Sequence, residues 1–369
     1  MLTLPPLSVY IHYPWCVKKC PYCDFNSHEK GRTKDYIHAL INDLEKDLPY
    51  VQDRKIKSIF IGGGTPSLLS PSELESILDA VQKKLKLNSD IEITLESNPG
   101  TFELEKFKDF HTVGINRLSV GVQSFCDQHL ESLGRIHSAK EAHKACTKAA
   151  EIFDNLNIDL MFGLQNQTLQ NCIDDVQTAI NLAPTHISFY QLTIEPNTYF
   201  AKYPPTLPND DKIDKMSKTG ETMLEENGFG RYEVSAYGKP SIHNINYWQF
   251  GDYLGIGAGA HGKITQIGEK GISVIRTLKP KSPKDYLKNQ SAKIEPVKNL
   301  SFEFMLNALR LKHGFDQTLF EQRTGHKIDQ IYDKLNDAKS LDLIKQEQNH
   351  IRPTPRGFDL LNNLQELFL

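Results

Sequence analysis

The chain has 369 residues, with 43 lysines and arginines against 46 aspartates and glutamates, so its formal charge of −3 offers no basic field for nucleic acid or anionic lipid. Its 39% hydrophobic content can fill two domains, or one large α/β domain with an appendage, and excludes a disordered or collagen-like chain. There is no apolar stretch of membrane-spanning length, and the N-terminus lacks the features of a secretory signal, so a cytoplasmic location is expected.

Short runs of β-branched residues alternate with longer amphipathic segments through the first half of the chain. The predicted strands are 7–13, 58–61, 91–96, 117–122, 157–161 and 186–191. The predicted helices are 34–48, 72–85, 104–110, 139–153 and 169–182. This alternation predicts an α/β fold whose parallel strands form either an open doubly wound sheet or an incomplete barrel. Both arrangements place functional residues at the carboxyl ends of the strands.

After Pro204-Pro205 the pattern changes. A helix is predicted over 210–227 and a strand over 232–236. A glycine-rich stretch follows, and then a strand pair that reverses at Glu269-Lys270-Gly271. This part is expected to complete the first domain.

A linker is predicted over 279–283, so the predicted domains are residues 1–285 and 299–369. The second domain has the order helix, helix, helix, a strand pair about Asn349 and a final helix, which is typical of a winged helix. Its 9 basic and 10 acidic residues give no positive footprint for phosphates. We therefore expect a lid or docking module rather than a nucleic-acid-binding domain.

Three of the six cysteines lie together directly after the first predicted strand. Cys16, Cys20 and Cys23 can hold three irons of a [4Fe–4S] cluster and leave the fourth iron open to a ligand. The alternatives are a structural zinc ion with His12 or His28 as fourth ligand, or thiols without metal. Zinc sites usually present two separated ligand pairs, so the spacing favours the cluster.

Glycine-rich and polar motifs follow the next four strands. They are Gly62-Gly63-Gly64-Thr65-Pro66, Glu96-Ser97-Asn98-Pro99-Gly100, Gly121-Val122-Gln123-Ser124 and Asp159-Leu160-Met161-Phe162-Gly163. The three consecutive glycines would let the backbone approach a ligand, but a tight turn explains them equally well. Glu96, Gln123 and Asp159 are ordinary polar residues taken singly. Only their common position after successive strands predicts a site.

Together these motifs resemble the radical S-adenosylmethionine (SAM) enzymes, and within them the oxygen-independent coproporphyrinogen oxidase family, over nearly the whole chain. The resemblance implies an incomplete (β/α)6 barrel of the TIM type with a small C-terminal winged-helix-like α+β domain. It implies that the three clustered cysteines hold a [4Fe–4S] cluster. It also implies the residues that contact SAM, which are Tyr10, Tyr22, Gly63, Gly64, Thr65, Glu96, Gln123, Arg135 and Asp159.

Two features resemble a heme-chaperone branch of that family more than its oxidases. Asp24-Phe25 follows the last cysteine, where the oxidases carry a fourth cysteine, and His243-Asn244-Ile245-Asn246-Tyr247-Trp248 is similar to the HNxxYW motif of the chaperones. An imidazole is a competent axial ligand for heme iron, so His243 is the candidate heme ligand. By itself, a histidine in a polar loop beside core aromatic residues is more often structural.

The resemblance therefore implies heme as a third bound group. It also implies a heme-acceptor protein, such as a respiratory hemoprotein, and an electron donor. The alternative is a radical enzyme that oxidises coproporphyrinogen III or removes hydrogen from another substrate, and the sequence leaves open whether the chain has such an activity.

The segment Gly257-Ala258-Gly259-Ala260-His261-Gly262 matches the dinucleotide-binding pattern GxGxxG. That pattern requires a strand, a turn and a helix, whereas residues 263–278 are predicted as strand, turn and strand. NAD binding is therefore not expected. The resemblance implies instead that this loop closes over SAM or substrate.

Overall fold

Parallel strands that follow one another in both sequence and space form the centre of the fold. The protein is described here by a computed structural model that covers residues 3–269 and 271–369, so Lys270 of the predicted turn lies outside the described residues. The strands are β1 (Leu7–Tyr13), β2 (Ile56–Gly63), β3 (Leu87–Ser97), β4 (Arg117–Gln123), β5 (Leu156–Phe162), β6 (His186–Gln191), β7 (Arg231–Glu233), β8 (Ala236–Gly238), β9 (Asp252–Ile256), β10 (His261–Gly268), β11 (Gly271–Leu278), β12 (Lys293–Pro296), β13 (Phe315–Asp316), β14 (Ile344–Glu347) and β15 (His350–Pro353).

Helices connect most of these strands. They are α1 (Asp35–Asp47), α2 (Pro71–Lys84), α3 (Thr101–Thr112), α4 (Asp127–Ser132), α5 (Ala139–Ala150), α6 (Leu169–Asn181), α7 (Tyr199–Lys202), α8 (Asp210–Glu226), α9 (Ile242–Trp248), α10 (Pro283–Lys288), α11 (Leu300–Ala308), α12 (Gln317–Thr324), α13 (Tyr332–Ser340), α14 (Pro355–Asp359) and α15 (Leu361–Glu366). Short 3-10 turns cover Leu48–Tyr50, Pro66–Leu68 and Ile328–Ile331. None of the helices in the described residues combines the length and hydropathy that crossing a bilayer requires.

The main sheet has twelve strands in the order β12-β11-β10-β9-β1-β2-β3-β4-β5-β6-β8-β7. Strands β1 to β6 are parallel neighbours in sequential order. A doubly wound sheet reverses its strand order, whereas here every crossover advances in one direction, as in a barrel. The sheet does not close, because β9 pairs with β1 and β8 pairs with β6. The predicted incomplete barrel is therefore confirmed over the doubly wound alternative.

Local sequence signals account for several element boundaries. β1 and β6 have their predicted bounds, and α2 starts at the predicted Ser70-Pro71 signal. Ser70 Oγ accepts a hydrogen bond from the Glu73 backbone N–H (3.2 Å), and the Glu73 carboxylate accepts one from the Ser70 N–H (2.8 Å). This capping box satisfies two of the N–H groups that a helix start leaves open. The helices then pack side by side, α1 on α2 and α2 on α3, over a core shared with the sheet.

The single strand predicted over 232–236 is wrong, because the chain reverses inside it. β7 and β8 pair antiparallel, and Glu233 accepts hydrogen bonds from Ser235 N and Oγ, both at 3.1 Å, at the turn between them. Tyrosine and valine both have high strand propensity, so propensity alone predicts one continuous strand here. It does not reveal the reversal.

The segment predicted as a linker, 279–283, is anchored rather than exposed. Lys279 is 3% exposed, and its ammonium group lies 2.9 Å from Asp47 and also contacts Asp43, both on α1. The buried Tyr286 hydroxyl donates to the Asp43 carboxylate (2.7 Å). Because a buried charge is tolerated only when it is paired, these contacts hold the segment against the first helix.

The C-terminal part has a second core. α11, α12 and α13 precede the hairpin of β14 and β15, which turns near the predicted Asn349, and β13 adds a third strand. Phe304 packs edge to face against Phe315 and Phe320. Phe250 from the main part joins the same apolar cluster. The predicted limits of the two domains stay a prediction, supported by these separate cores and their shared border.

Asp252, at the start of β9, joins two cations inside the main core. Its carboxylate lies 2.7 Å from Arg54 Nη1 and 2.9 Å from Lys263 Nζ, and it accepts two hydrogen bonds from Thr265. Burial acts to raise the pKa of Asp252, but Lys263 and Arg54 outweigh that effect and hold the pKa below its ordinary value. Ionised Asp252 therefore stabilises the folded state.

We predict that Asp252→Asn lowers the free energy of unfolding by about 3–5 kcal/mol, because it leaves two buried cations without compensating charge. Since the folded pKa lies below the unfolded one, the stabilisation by Asp252 is present above the unfolded pKa and is lost as the pH falls through the folded pKa. Urea unfolding followed by circular dichroism measures both effects. Asp285→Asn is the matched control, because its pair with Lys288 is exposed. Equal midpoints for the two variants would contradict the prediction.

Candidate functional site

The three clustered cysteines lie in a loop whose two ends are joined by backbone hydrogen bonds. The His28 N–H donates to Pro14 O (2.7 Å), and the Cys16 N–H donates to His28 O (3.0 Å). Cys16, Cys20 and Cys23 are free and partly exposed thiols. The loop therefore presents the three thiols together beyond the carboxyl end of β1.

Trp15 anchors this loop to the sheet. Its buried ring stands edge to face on Tyr36, with centroids 4.6 Å apart, and its Nε1–H donates to Lys30 O (3.1 Å). Its carbonyl oxygen accepts a hydrogen bond from the Thr65 N–H (2.8 Å), so the loop is tied to the end of β2.

The glycines after β2 are required by this packing. A Cβ at Gly64 would lie 2.6 Å from Trp15 O, and one at Gly63 would lie 2.4 Å from the His12 ring. Gly63 also has φ +111°, which disfavours other residues. Both glycines line the first cavity described below, so the turn and the site are the same structure.

A first cavity of about 150 Å³ adjoins the thiols. Its walls contain the three cysteines and polar residues from the carboxyl ends of β2 to β5. Of the predicted SAM residues, those that line it are Tyr22, Gly63, Gly64, Thr65, Glu96, Gln123, Arg135 and Asp159. Tyr10 instead lines a second cavity, where its hydroxyl is 2.9 Å from His12 Nδ1.

Burial disfavours the ionised form of two carboxyl groups in the first cavity. Burial, with a smaller contribution from Asp159, raises the pKa of Glu96 to about 7. Burial also raises the pKa of Asp159, although Asn157 donates to its carboxylate (2.8 Å). Arg117 lowers both pKa values by less than burial raises them, and among the described residues neither carboxylate forms an ion pair with a lysine or arginine. This wall therefore favours a ligand that brings a positive charge.

Arg135 supplies the positive charge on the cysteine side. Its Nη1 lies 3.5 Å from Cys20 Sγ, and its Nη2 donates to Asn98 Oδ1 and Gly121 O, both at 2.7 Å. Nearby, Gln123 Oε1 accepts a hydrogen bond from the Tyr190 hydroxyl (2.7 Å), and the Gln123 backbone has a positive φ of 73°. The strained backbone places this amide at the cavity wall.

The zinc alternative with His12 as fourth ligand has little support in this geometry. His12 Nδ1 lies 2.9 Å from the Tyr10 hydroxyl and His12 Nε2 lies 2.9 Å from Asn26 O, so both ring nitrogens are engaged. Within residues 3–269 and 271–369, no three histidine, cysteine or acidic side chains are grouped to hold one metal ion. A [4Fe–4S] cluster takes each cysteine on a different iron, so its thiolates need not converge on one point.

A second, larger cavity of about 1010 Å³ adjoins the first. Its lining includes the aromatic residues Tyr10, Phe25, Phe60, Tyr247, Trp248 and Tyr253. His243 and His261 also line it. Phe25, Gly63 and Glu96 belong to the walls of both cavities. The two cavities are therefore neighbours at the ends of β2 and β3.

His243 lies on helix α9, so its predicted placement in a loop is wrong. Its Nδ1 is 3.1 Å from Ser58 Oγ. Ser58 Oγ is hydrogen-bonded to Ser8 Oγ (2.8 Å), which accepts a hydrogen bond from Asn246 Nδ2 (3.0 Å). Burial lowers the pKa of His243 to about 3, with a smaller contribution from Arg117, so the imidazole is neutral near pH 7. With Nδ1 engaged, Nε2 is the nitrogen left to bind a metal.

Glu92 holds the start of α9, and sequence reasoning missed it. This carboxylate on β3 is 4% exposed and accepts hydrogen bonds from Ser241 Oγ (2.9 Å) and from the N–H groups of Ile242 and His243 (both 3.1 Å). A carboxylate at a helix start also complements the helix dipole. Glu92 and Glu96 are four residues apart in one strand and so share a face, which was the available signal.

Loop 257–260, which matched the dinucleotide pattern, connects β9 to β10, two strands, and so lacks the helix that the pattern requires. The Gly257 N–H donates to Asp43 (2.9 Å), and Asn26 of the cysteine loop donates to Ala258 O and Lys281 O (both 2.9 Å). The loop is therefore a buried brace between α1 and the cysteine loop.

Comparisons with known proteins agree with this arrangement. Residues 10–179 match the radical SAM superfamily, and residues 296–360 match the HemN C-terminal domain. The heme chaperone HemW of Escherichia coli (strain K12) is 45% identical over 100% of both chains. HemW of Haemophilus influenzae is 46% identical over 100% of this chain and 99% of its own, and HemW of Bacillus subtilis is 32% identical over 98% and 99%.

Among solved structures, coproporphyrinogen III oxidase (HemN) from Escherichia coli, a radical SAM enzyme, superimposes with a TM-score of 0.81. The match covers 99% of this chain and 90% of that chain at 21% identity, which shows a shared fold.

We predict that Cys16→Ser, Cys20→Ser or Cys23→Ser each abolishes iron loading, because a serine hydroxyl is a poor ligand for iron in a cluster that requires soft thiolates. Cys126→Ser is the matched control, since Cys126 is also partly exposed but lies outside both cavities. Iron and sulfide analysis after anaerobic reconstitution measures the loading. Full loading in any of the first three variants would remove the cluster assignment.

We also predict a pH effect from Glu96. Because its folded pKa of about 7 lies above its ordinary value, the unfolded state ionises first as the pH rises, and the cluster-free protein loses stability between about pH 5 and pH 7. Glu96→Gln should remove this loss, so its advantage over the wild type grows across that range in urea unfolding. Glu151→Gln is the control, because Lys148 lowers the pKa of Glu151. A constant difference between Glu96→Gln and wild type would refute the role of burial.

Proposed function

The chain belongs to the HemW family within the radical SAM superfamily, and on that premise we propose that it is a heme chaperone that binds a [4Fe–4S] cluster, SAM and heme and transfers heme to an acceptor protein. The observation that carries the proposal is the pair of adjoining cavities. One is lined by three thiols and polar strand ends, and the other by aromatic residues and a neutral imidazole. The two sites therefore lie within one molecule at one edge of the sheet.

Cys16, Cys20 and Cys23 would hold the cluster through their thiolates, the ligands that iron–sulfur clusters require. The hydrogen bonds that join the two ends of the loop limit the conformations of these side chains. Arg135, which lies beside Cys20, would offset the negative charge of the thiolates. When bound, the cluster and SAM supply radical chemistry, which the cofactors perform themselves. The chain's own residues bind, orient and shield them.

The lining of the first cavity suits the methionine end of SAM. The ammonium group would lie against Glu96 and Asp159, since a nearby cation relieves the cost of ionising buried carboxyl groups. Gln123 and Arg135 provide oriented donors for a carboxylate. Tyr22, Gly63, Gly64 and Thr65 form the remaining wall. Tyr10 lines the adjoining cavity near Glu96, and its contact with SAM stays a prediction.

Heme would occupy the second cavity with its iron on His243 Nε2. The ring of His243 is 5.1 Å from that of Phe60, and the bond from Ser58 to Nδ1 sets the direction of the imidazole. A neutral imidazole is the form that binds a metal. The aromatic walls would face the porphyrin.

We further propose a cytoplasmic location and three kinds of partner, which are heme, a heme-acceptor protein such as a respiratory hemoprotein, and an electron donor. The 9 basic and 10 acidic residues of 299–369 are balanced, so we propose that this domain docks protein rather than nucleic acid.

A radical enzyme acting on coproporphyrinogen III or another substrate is the second candidate. The observation that favours it is the shared wall of Phe25, Gly63 and Glu96, which would place a ligand of the second cavity beside SAM. Phe25 is 59% exposed and cannot supply the thiol that the oxidases carry after their third clustered cysteine. We therefore favour the chaperone.

We predict that the reconstituted protein binds heme about one to one, and that His243→Ala weakens binding or changes the heme absorption spectrum without changing its iron–sulfur content. His261→Ala tests another histidine of the same cavity, and His350→Ala controls for an exposed histidine. Heme titration followed by absorption measures each variant. Efficient turnover of coproporphyrinogen III would defeat the chaperone proposal, whereas an unchanged spectrum in His243→Ala would move the ligand elsewhere.

A further inference from the structure

Arg276 is the only lysine or arginine among the described residues that line the second cavity. The ionisable acids in the same lining are Asp24, Glu96 and Glu295. An anionic group that entered this cavity would meet three carboxyl groups and one guanidinium. The favourable position for an anionic group in this cavity is therefore beside Arg276.

The guanidinium of Arg276 is already oriented. Arg276 lies on β11, and its Nη1 donates to the Tyr253 hydroxyl (2.9 Å). Its Nη2 contacts the carboxylate of Glu303, which lies on α11 of the C-terminal part. The Tyr253 ring lies 5.2 Å from the ring of Tyr247, so the residue that aims Arg276 belongs to the aromatic wall.

The pair of Arg276 and Glu303 is accessible to exchange. The two side chains are 25% and 26% exposed. A guanidinium carries five N–H donors and binds a carboxylate in a planar fork, so one carboxylate can replace another without moving the cation. The pair with Glu303 thus shows that this guanidinium binds a carboxylate in its present orientation.

Heme is a flat apolar ring that carries two propionate carboxylates along one edge. A cavity with aromatic walls, an imidazole and one guanidinium matches the ring, the iron and a propionate, respectively. We propose that Arg276 binds a heme propionate and exchanges Glu303 for it when heme enters, an inference that rests on the proposed function because it takes heme as the occupant. Heme binding then loosens one contact between the main part and the C-terminal part.

The test is a heme titration of the full-length reconstituted protein and its variants, with heme dimethyl ester as a probe that lacks both propionate charges. Arg276→Gln should weaken heme binding about 10–100-fold, which is the range of one charge-assisted hydrogen-bonding group. The same variant should bind the dimethyl ester as well as the wild type does. Arg276→Lys should recover part of the affinity for heme, because it keeps the charge but not the planar fork.

Glu303→Gln breaks the same internal pair from the other side and should leave heme affinity equal or increase it, because a competing carboxylate is gone. Arg32→Gln is the matched control, since Arg32 pairs with Glu73 outside this cavity. A wild type that binds no heme would defeat the proposed function itself. If the wild type binds heme, three outcomes would overturn only the inference: unchanged affinity in Arg276→Gln, an equal loss for heme and its ester, or an equal loss in Glu303→Gln.

Discussion

The sequential parallel order of β1 to β6 brings the carboxyl ends of these strands to one edge of the sheet, and both cavities depend on it. Side chains at a strand end lie at the rim of the packed core, so polar groups can lie there without breaking it. The cysteine loop, Glu96, Gln123 and Asp159 come from four different strands and meet only because of this order. A reversed strand would have placed one of them at the opposite edge.

Buried polar contacts then hold the loops of that edge in place. Asp43 on α1 accepts hydrogen bonds from Gly257 and Tyr286 and pairs with Lys279, while Asn26 ties the cysteine loop to the same region. Such groups are costly to bury unless every partner is present. The edge therefore has a defined shape before any ligand arrives, and ligand binding need not order it.

The features that could be predicted from the sequence are local ones. Period-two and helical patterns identified β1 to β6, and the clustered cysteines identified the first cavity, because these signals lie within a few neighbouring residues. Glu92 was missed because it caps α9 from 149 residues away along the chain. Tyr10, which the resemblance assigns to SAM, lies beside His12 in the second cavity, and the pattern of β1 alone does not reveal which cavity it lines. The reversal between β7 and β8 depends on side-chain hydrogen bonds of Glu233 that no periodicity encodes.

The wall of Phe25, Gly63 and Glu96 that separates the two cavities has a thermodynamic consequence. Burial raises the pKa of Glu96 to about 7, so a cation bound on one side would favour its ionised form and would change the charge that faces the other side. Any factor by which the first ligand alters the affinity of the second must be returned by the second on the first. If both cavities bind ligands, loading one cavity and release from the other would be linked through Glu96 by a single coupling free energy.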